Sequence, residues 1–559
     1  MKGRLMANYI KISCTVCIIV VLGLGKAMAQ NGEIKDQVNV LGSYIPELKT
    51  KEKFSEQPVI VDTFRTEIKS QYRIETSQIE FQYSPDTLSA ARMKTEQAQK
   101  LKRFYAKLGF GNYLTPLAEL RFNSIANKTD AYSVSYNYLS SAGVISNRAF
   151  PGISDHDANA KYKHMFKHYL IMAQARYTNN QTHYYGYNPA DSLASGLSKK
   201  DIRQTFNKIA VNVGFRNHNL NDSNRVITNA SISYYYVGDR YNSREHGISL
   251  SEDISKYLKQ FYLGIRVKGE YYNNRFLGGN AISSGLIHFN PNVRLGKKKW
   301  NVEAGAIATL GFDGATRFYI MPNIHFDFYV YKKYLMAFAS GSGSVERQTY
   351  DRQRLLNPFI IQNPEIRNTY NIFDIFGGFR GSFSRDISYQ VAGGYKYSND
   401  VALFVTDTSR VLGNYFKTIY DNMGIGRVNA EIAYRKEEFL AISLKGNYRF
   451  FNPSTELKAW HNPNLDITLS GSYTFKNMLV FKLDVFYIGN QFAPNYTATG
   501  VEVVKLKGIA DINLGVEYRY NKMLSAFINF NNIAAFRYNR WFNYPTQQFN
   551  LIGGLSIHF

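Results

Sequence analysis

FYLGIRVKGEYY, residues 261–272, sorts its side chains by parity. Phe261, Leu263, Ile265, Val267 and Tyr271 fall on odd positions, and Tyr262, Gly264, Arg266, Lys268 and Glu270 on even ones. Successive side chains of an extended chain leave opposite faces, so this is a strand with one apolar and one charged face. Two further stretches read the same way. Leu440, Ile442, Leu444, Tyr448 and Phe450 alternate with Ala441, Ser443, Lys445, Asn447 and Arg449; Ile512, Leu514, Val516, Tyr518 and Tyr520 alternate with Asp511, Asn513, Gly515, Glu517 and Arg519. Such segments run about ten residues or more, against roughly five or six in an ordinary globular strand. That length suits a tilted crossing of a bilayer core about 30 Å thick.

Composition agrees. Hydrophobic residues make up 45 % and charged residues 20 %, which excludes wholesale disorder. The aromatic share is 15 %, with 43 Tyr and 38 Phe against 3 Trp, a strand-favouring bias. Rings gather at strand ends, as at Tyr331 and Tyr334 or Tyr518 and Tyr520, where a transmembrane barrel places its interfacial girdles. No stretch after the N-terminus is apolar for the roughly 18 residues of a membrane helix. A barrel alternates apolar-out with polar-in, which accounts for the ordinary mean hydropathy of −0.32.

The N-terminus reads as a targeting segment. Lys2, Arg4 and Lys11 precede an apolar run from Ile12 to Gly25, and Ala27-Met28-Ala29 forms a small-residue cleavage site. This is the three-part pattern of a cleaved signal peptide, residues 1–29. Cys14 and Cys17 both lie inside it, so the exported chain is expected to have no disulfide and no thiol chemistry. The formal charge is +24, and Lys2, Arg4, Lys11 and Lys26 account for four, leaving +20 after cleavage. For an exported chain this implies anionic headgroups, lipopolysaccharide or acidic partners, and no nucleic acid.

Short polar turns at 296–298, 331–334, 384–386, 435–437, 475–477 and 520–522 alternate with longer loops near 178–203, 274–283, 346–368, 400–424, 452–464, 489–506 and 532–547. Short turns on one side and long loops on the other are the habit of outer-membrane barrels. Further strands are expected at 106–125, 130–141 and 160–178, with Ala142 to Ala160 a long periplasmic connection. The expectation is an all-β transmembrane antiparallel barrel of about 20 strands, range 16–22, over residues 106–559. Residues 30–105 are expected to be a short periplasmic or lumenal segment.

These residues also carry a family resemblance. Phe559, ending an amphipathic strand, resembles the signal by which outer-membrane barrels are recognised by their assembly machinery. NPEIRNTY (363–370) and NRWFNYPTQQFNLIGGLSIHF (539–559) resemble the barrel of TonB-dependent receptors of Bacteroidota. YAKLGFGNYLTPLAEL (105–120) resembles the first strand of a plugless group of such proteins. The resemblance implies an outer-membrane location and a role in transport. Gln30 to Tyr105 is shorter than the plug domain of those receptors, so a barrel without a plug is expected.

Candidate site residues follow from the polar strand faces. Arg266, Lys268, Glu270, Lys445, Arg449, Lys482, Asp484, Glu517 and Arg519 are expected to face the lumen, as selectivity charges or as a salt-bridged wall. Leu555, Ile557 and Phe559 belong to a terminal strand expected to close the ring against 522–531 and 106–125. Leu555 and Ile557 are expected to face lipid, and Ser556 and His558 to face inward. Trp541 and Phe542 are candidate loop contacts for a ligand. His164 and His168 share a face of a strand at i and i+4, with Asp155, His156 and Asp157 just upstream, and are candidate metal ligands. The Gly393-Gly394 and Gly553-Gly554 pairs lie within strands and read as bends or close packing. No catalytic constellation is evident, and no enzyme activity or cofactor is expected. The expected function is transport or uptake through a channel. The alternatives are a non-transporting accessory subunit of an outer-membrane complex, and a surface receptor or adhesin using the loops at 346–368 and 532–547.

Overall fold

The computed structural model describes residues 102–124, 129–217, 226–258, 261–297, 299–331 and 334–559. The proposed signal peptide and nearly all of the proposed N-terminal segment lie outside these residues. The strands, in chain order, are β1 (Phe104–Gly111), β2 (Thr115–Asn123), β3 (Asp130–Ser141), β4 (Ile153–Met165), β5 (Tyr169–His183), β6 (Arg203–Asn217), β7 (Val226–Asp239), β8 (Arg244–Leu258), β9 (Phe261–Arg275), β10 (Ile282–Lys297), β11 (Trp300–Phe312), β12 (Thr316–Tyr331) and β13 (Leu335–Arg347). They continue as β14 (Asn368–Ser382), β15 (Ile387–Thr406), β16 (Phe416–Lys436), β17 (Leu440–Pro453), β18 (Leu465–Phe475), β19 (Leu479–Ile488), β20 (Gln491–Thr497), β21 (Gly500–Leu506), β22 (Ile509–Arg519), β23 (Leu524–Asn531), β24 (Asn539–Trp541), β25 (Tyr544–Pro545) and β26 (Asn550–His558). A helix, α1 (Tyr350–Leu356), interrupts the connection from β13 to β14.

Twenty-two of the strands form one antiparallel sheet, which closes because β1 pairs with both β2 and β26. The remaining four form two hairpins, β20–β21 and β24–β25, in connections between ring strands. At the seam Leu108 pairs with Leu555 and Ala106 with Ile557, while Leu524 on β23 faces Ile557 from the other side. Phe104 and Phe559 exchange backbone hydrogen bonds at 2.8 and 3.0 Å. Gly109 lies opposite Gly554, and a Cβ on Gly554 would overlap the carbonyl of Leu108. This close approach is what the Gly-Gly pair provides. With strands about 4.8 Å apart and tilted by about 40°, a ring of this strand number is roughly 40 Å across.

The alternation read from the sequence sorts the two faces. On β9 the apolar residues from Phe261 to Tyr271 are exposed outward, and Ile209, Val211, Val213 and Phe215 do the same on β6. Among the described residues no helix is long and apolar enough to cross a membrane.

One end of the ring holds both Phe104 and Phe559 and the short connections 166–168, 383–386, 437–439, 476–478 and 520–523. The other end holds 142–152, 184–202, 348–367, 407–415, 454–464, 489–508 and 532–549. It also has tight turns at 112–114, 240–243 and 313–315, so the length rule holds on one side only.

Several expectations need correction here. The expected strand 106–125 is two strands, β1 and β2, joined at Asn112–Leu114. Tyr113 and Leu114 take the left-handed conformation there, with φ of 58° and 49°. The turn lacks the Gly or Asn-Gly that normally advertises such a bend. The expected strand 160–178 is likewise parts of two strands, β4 and β5, joined at 166–168. This second split reverses the parity upstream of it, so the connection after β3 belongs to the loop end, and it spans only 142–152. The barrel also starts slightly earlier than expected, since Phe104 and Tyr105 belong to β1.

Candidate functional site: a polar lumen beneath packed loops

The charged faces of the strands point into the ring and are interleaved with acids. Arg266 reaches Glu303 at 2.5 Å and lies 3.6 Å from Asp253. Lys268 lies 2.8 Å from Glu270, which also faces His288 at 3.3 Å. Lys445 is 3.9 Å from Glu431, Arg449 is 2.7 Å from Asp466, and Arg519 is 3.4 Å from Glu517. Asp484 accepts from the Ser470 hydroxyl at 2.6 Å, and Lys482, on the same face, is also engaged. These residues form a braced ladder of charge pairs. Rim and lumen pairs of this kind add little stability each, but they keep the inner wall wet and its side chains fixed in place.

The loop from β13 to β14 turns onto this wall. Its sequence encodes a short helix. Thr349 accepts from the N–H of Arg352 at 3.1 Å, Asp351 sits in the first turn, Arg354 sits in the last, and Pro358 follows the end at Asn357. The N-terminal end of α1 meets Glu245 on β8. That carboxylate accepts from the N–H of Tyr350 at 2.7 Å, the N–H of Asp351 at 3.1 Å, the Tyr235 hydroxyl at 2.8 Å and Asn274 Nδ2 at 2.5 Å. The Tyr350 hydroxyl donates to Asp239 at 2.8 Å. Asp351 pairs with Lys208 on β6 at 2.6 Å and with Arg354 at 2.6 Å. On another side, Gln353 accepts from the Thr418 hydroxyl of β16 at 2.6 Å. Hydrogen bonds involving a charged group contribute about 1.5–3 kcal/mol each when buried. Several on one short helix fix it to the wall.

Three other contacts carry the loops across the mouth. Tyr185 (loop 184–202) meets Phe359 (loop 348–367) and Tyr544 (loop 532–549) edge-to-face with ring centroids 5.8 and 4.8 Å apart, and Phe359 stacks on Tyr544 at 3.8 Å. The roots of these loops are spaced almost evenly round the ring, with β6 to β13, β14 to β23 and β26 to β5 between them. Rings from three such roots meet only over the opening. Backbone contacts lock the junction: the Tyr184 hydroxyl donates to Ile360 O at 2.9 Å, that of Tyr185 to Pro545 O at 3.0 Å, and Asn414 Nδ2 to Tyr184 O at 2.9 Å. The surrounding cluster includes Ile145, Phe206, Phe276, Tyr350, Phe404, Phe416 and Trp541. Burial raises the hydroxyls of Tyr184, Tyr350 and Tyr544 well above the ordinary tyrosine value, so they stay protonated donors.

Trp541 and Phe542 therefore do not stand out as ligand contacts. Trp541 is buried against Phe404, Phe416 and His461, and Phe542 packs on the same cluster. These rings form the loops' own core. His461 is part of it. Its Nδ1 meets the Phe404 carbonyl at 3.0 Å, and its Nε2 accepts from the N–H of Phe542 at 3.3 Å. Burial, with the charge of Arg540 nearby, lowers its pKa to about 3.

The candidate metal pair is also separated. β4 ends at Met165, so His168 lies in the following turn and the shared-face argument fails. His164 pairs with Asp130 at 2.7 Å, on the outward parity of Tyr162, whereas Lys161 and Lys163 take the opposite one. Among the described residues no group of three His, Cys, Asp or Glu is placed to hold a metal.

Two cavities lie under the loops. One, about 690 Å³, is lined by Arg266, Lys268, Glu270 and His288 of the wall and by Glu346, Arg347, Arg352, Leu355 and Leu356 at α1. The other, about 530 Å³, lies between Phe276–Asn280 and Asn363–Ile366 and also includes Arg347. Glu245, Asp239 and Arg347 were missed by the sequence reading. The helix could have been found from Thr349 and Asp351, but nothing local marks its partners on β6 to β8.

No family model matches this chain, and no curated protein matches it. Solved structures do share its fold. The FrpB iron transporter from Neisseria meningitidis superposes with a TM-score of 0.63 at 12 % identity, covering 82 % of each chain. The pyoverdine outer membrane receptor FpvA from Pseudomonas aeruginosa PAO1 gives 0.61 at 11 %, covering 82 % of this chain and 79 % of the other. The copper transporter OprC gives 0.60 at 11 %, covering 82 % and 81 %. The fold is that of outer-membrane receptors and transporters.

Proposed function

We propose that this chain is an integral outer-membrane barrel that passes a solute through its polar lumen, with the packed loops as a gate at the outer mouth. The observation that carries the reading is the closed ring with an apolar outer face and an ion-paired inner face. A largely apolar outer face is stable against hydrocarbon, where ring closure also satisfies the backbone. A ring about 40 Å wide is too large for its own wall side chains to fill, and its lumen must hold water or a plug. In this reading residues 1–29 direct export, and residues 30–101 lie at or in the lumen. The strand ending at Phe559 is handed to the barrel assembly machinery, and the basic surface meets lipopolysaccharide.

Planar-bilayer recording of the purified protein tests this. Ion-selective openings that grow when residues 30–101 are deleted are the expected result. A barrel that stays silent in both forms contradicts it.

The accessory-subunit reading has its own support. The β20–β21 hairpin presents Tyr496, Val501 and Val503 to solvent. Stoichiometric recovery with other outer-membrane proteins from native membranes, together with electrical silence, would favour it over transport.

A further inference from the structure

Arg347, the last residue of β13, is only 8 % exposed. Its Nη1 donates to Oδ1 of Asn368, its neighbour on β14, at 3.2 Å, and its Nε has no partner. Among the described residues, no carboxylate forms an ion pair with it. Other arginines of the barrel and of α1 differ in this respect: Arg266, Arg352, Arg354, Arg380 and Arg427 each reach an Asp or Glu at 2.5, 2.8, 2.6, 2.9 and 2.6 Å. Asp313 and Glu245 act on it only from beyond ion-pair distance, so the buried guanidinium is incompletely compensated and a further anion beside it would be favourable.

Its position indicates where that anion would sit. Arg347 is the residue common to both cavities under the loops. The amide oxygens of Asn290, in one lining, and Asn274, in the other, are also buried without partners, but as acceptors they do not meet a carboxylate, which leaves Arg347 as the anion-facing group.

We propose that Arg347 anchors a binding site for a small organic carboxylate, held between the inner wall and α1. The planar guanidinium fork matches a carboxylate in geometry and charge. Glu270 and Glu346 line the larger cavity, which disfavours a doubly charged phosphate and selects a monoanion. Leu355 and Leu356 are exposed at the end of α1 and line the same cavity, so they offer an apolar surface to the body of the ligand. That the bound anion is in transit rests on the transport reading, whereas binding itself is measured without it.

The probe is benzoate, titrated calorimetrically into the full-length protein in a neutral detergent at pH 7. Benzyl alcohol and inorganic phosphate are the comparisons. Saturable benzoate binding is expected, with both comparisons at least tenfold weaker. Arg347→Gln should weaken benzoate at least tenfold and Arg347→Lys should weaken it less, with heat-modifiable gel mobility showing that both barrels are folded. Absence of benzoate binding by the wild type overturns the proposal, as does equal binding of benzyl alcohol. An unchanged affinity in a folded Arg347→Gln barrel overturns it as well. Bilayer recordings of the same preparations judge the transport reading separately: benzoate that binds to an electrically silent barrel supports the site and removes its role in passage.

Discussion

Glu245 accepts four hydrogen bonds on one carboxylate, two of them from the first backbone N–H groups of α1. Removing it leaves those donors buried and unmet, a local cost of about 3–5 kcal/mol. Glu245→Ala should therefore release the α1 loop while leaving the ring intact. Trypsin cleavage after Arg352 or Arg354 should be at least tenfold faster than in the wild type, and an unchanged rate would contradict the anchoring described above. His461 gives the second residue-level expectation. Its pKa with the loops closed, about 3, is below the ordinary 6.5, so the open state binds the proton more strongly. The loop core is then fully stable above about pH 6.5 and loses stability as pH falls from there towards 3. The loss is up to about 1.4 kcal/mol per pH unit, with no further loss below pH 3. Trp460 and Trp541, both buried in the loops, report this by fluorescence. Acidification should red-shift the wild type across that window, and His461→Phe should flatten the response. Neither residue advertises itself in the sequence, because Glu245 and His461 are defined by partners far along the chain.

At the level of elements, the strands were the most legible feature. Period-two alternation in residues 261–271 directly gives an outward apolar face and an inward charged one, because one face is lipid-exposed and the other wet. Turns were legible where they were polar and short, and illegible at Tyr113–Leu114, where two bulky residues take left-handed conformations supported by pairing on both sides. The seam makes a sharp prediction. Gly109 and Gly554 face each other with no room for a side chain, so Gly554→Val should prevent β26 from seating against β1. Gly269 has open space at the same test and Gly269→Ala should be tolerated. Heat-modifiable gel mobility distinguishes the two outcomes: a folded Gly554→Val barrel would argue against the close approach.

For the whole molecule, the sequence carries the class of the ring but not what covers it. Strand number followed from repeated local patterns, and it fell short of 22 because two tight turns, at 112–114 and 166–168, were missed. The loop core has no local period at all. Tyr185, Phe359 and Tyr544 come from loops rooted around the ring, and only closure brings them together. The central claim is that these packed loops gate a wide polar lumen. Single-channel recording in planar bilayers tests it most directly, comparing the wild type with a variant in which residues 349–366 are replaced by a Gly-Ser linker, each with and without residues 30–101. The account predicts large, stable openings in the loop-replaced barrel and small or rare ones when the loop is intact. Equal silence of both barrels, even without residues 30–101, or equal conductance of the two, would contradict it.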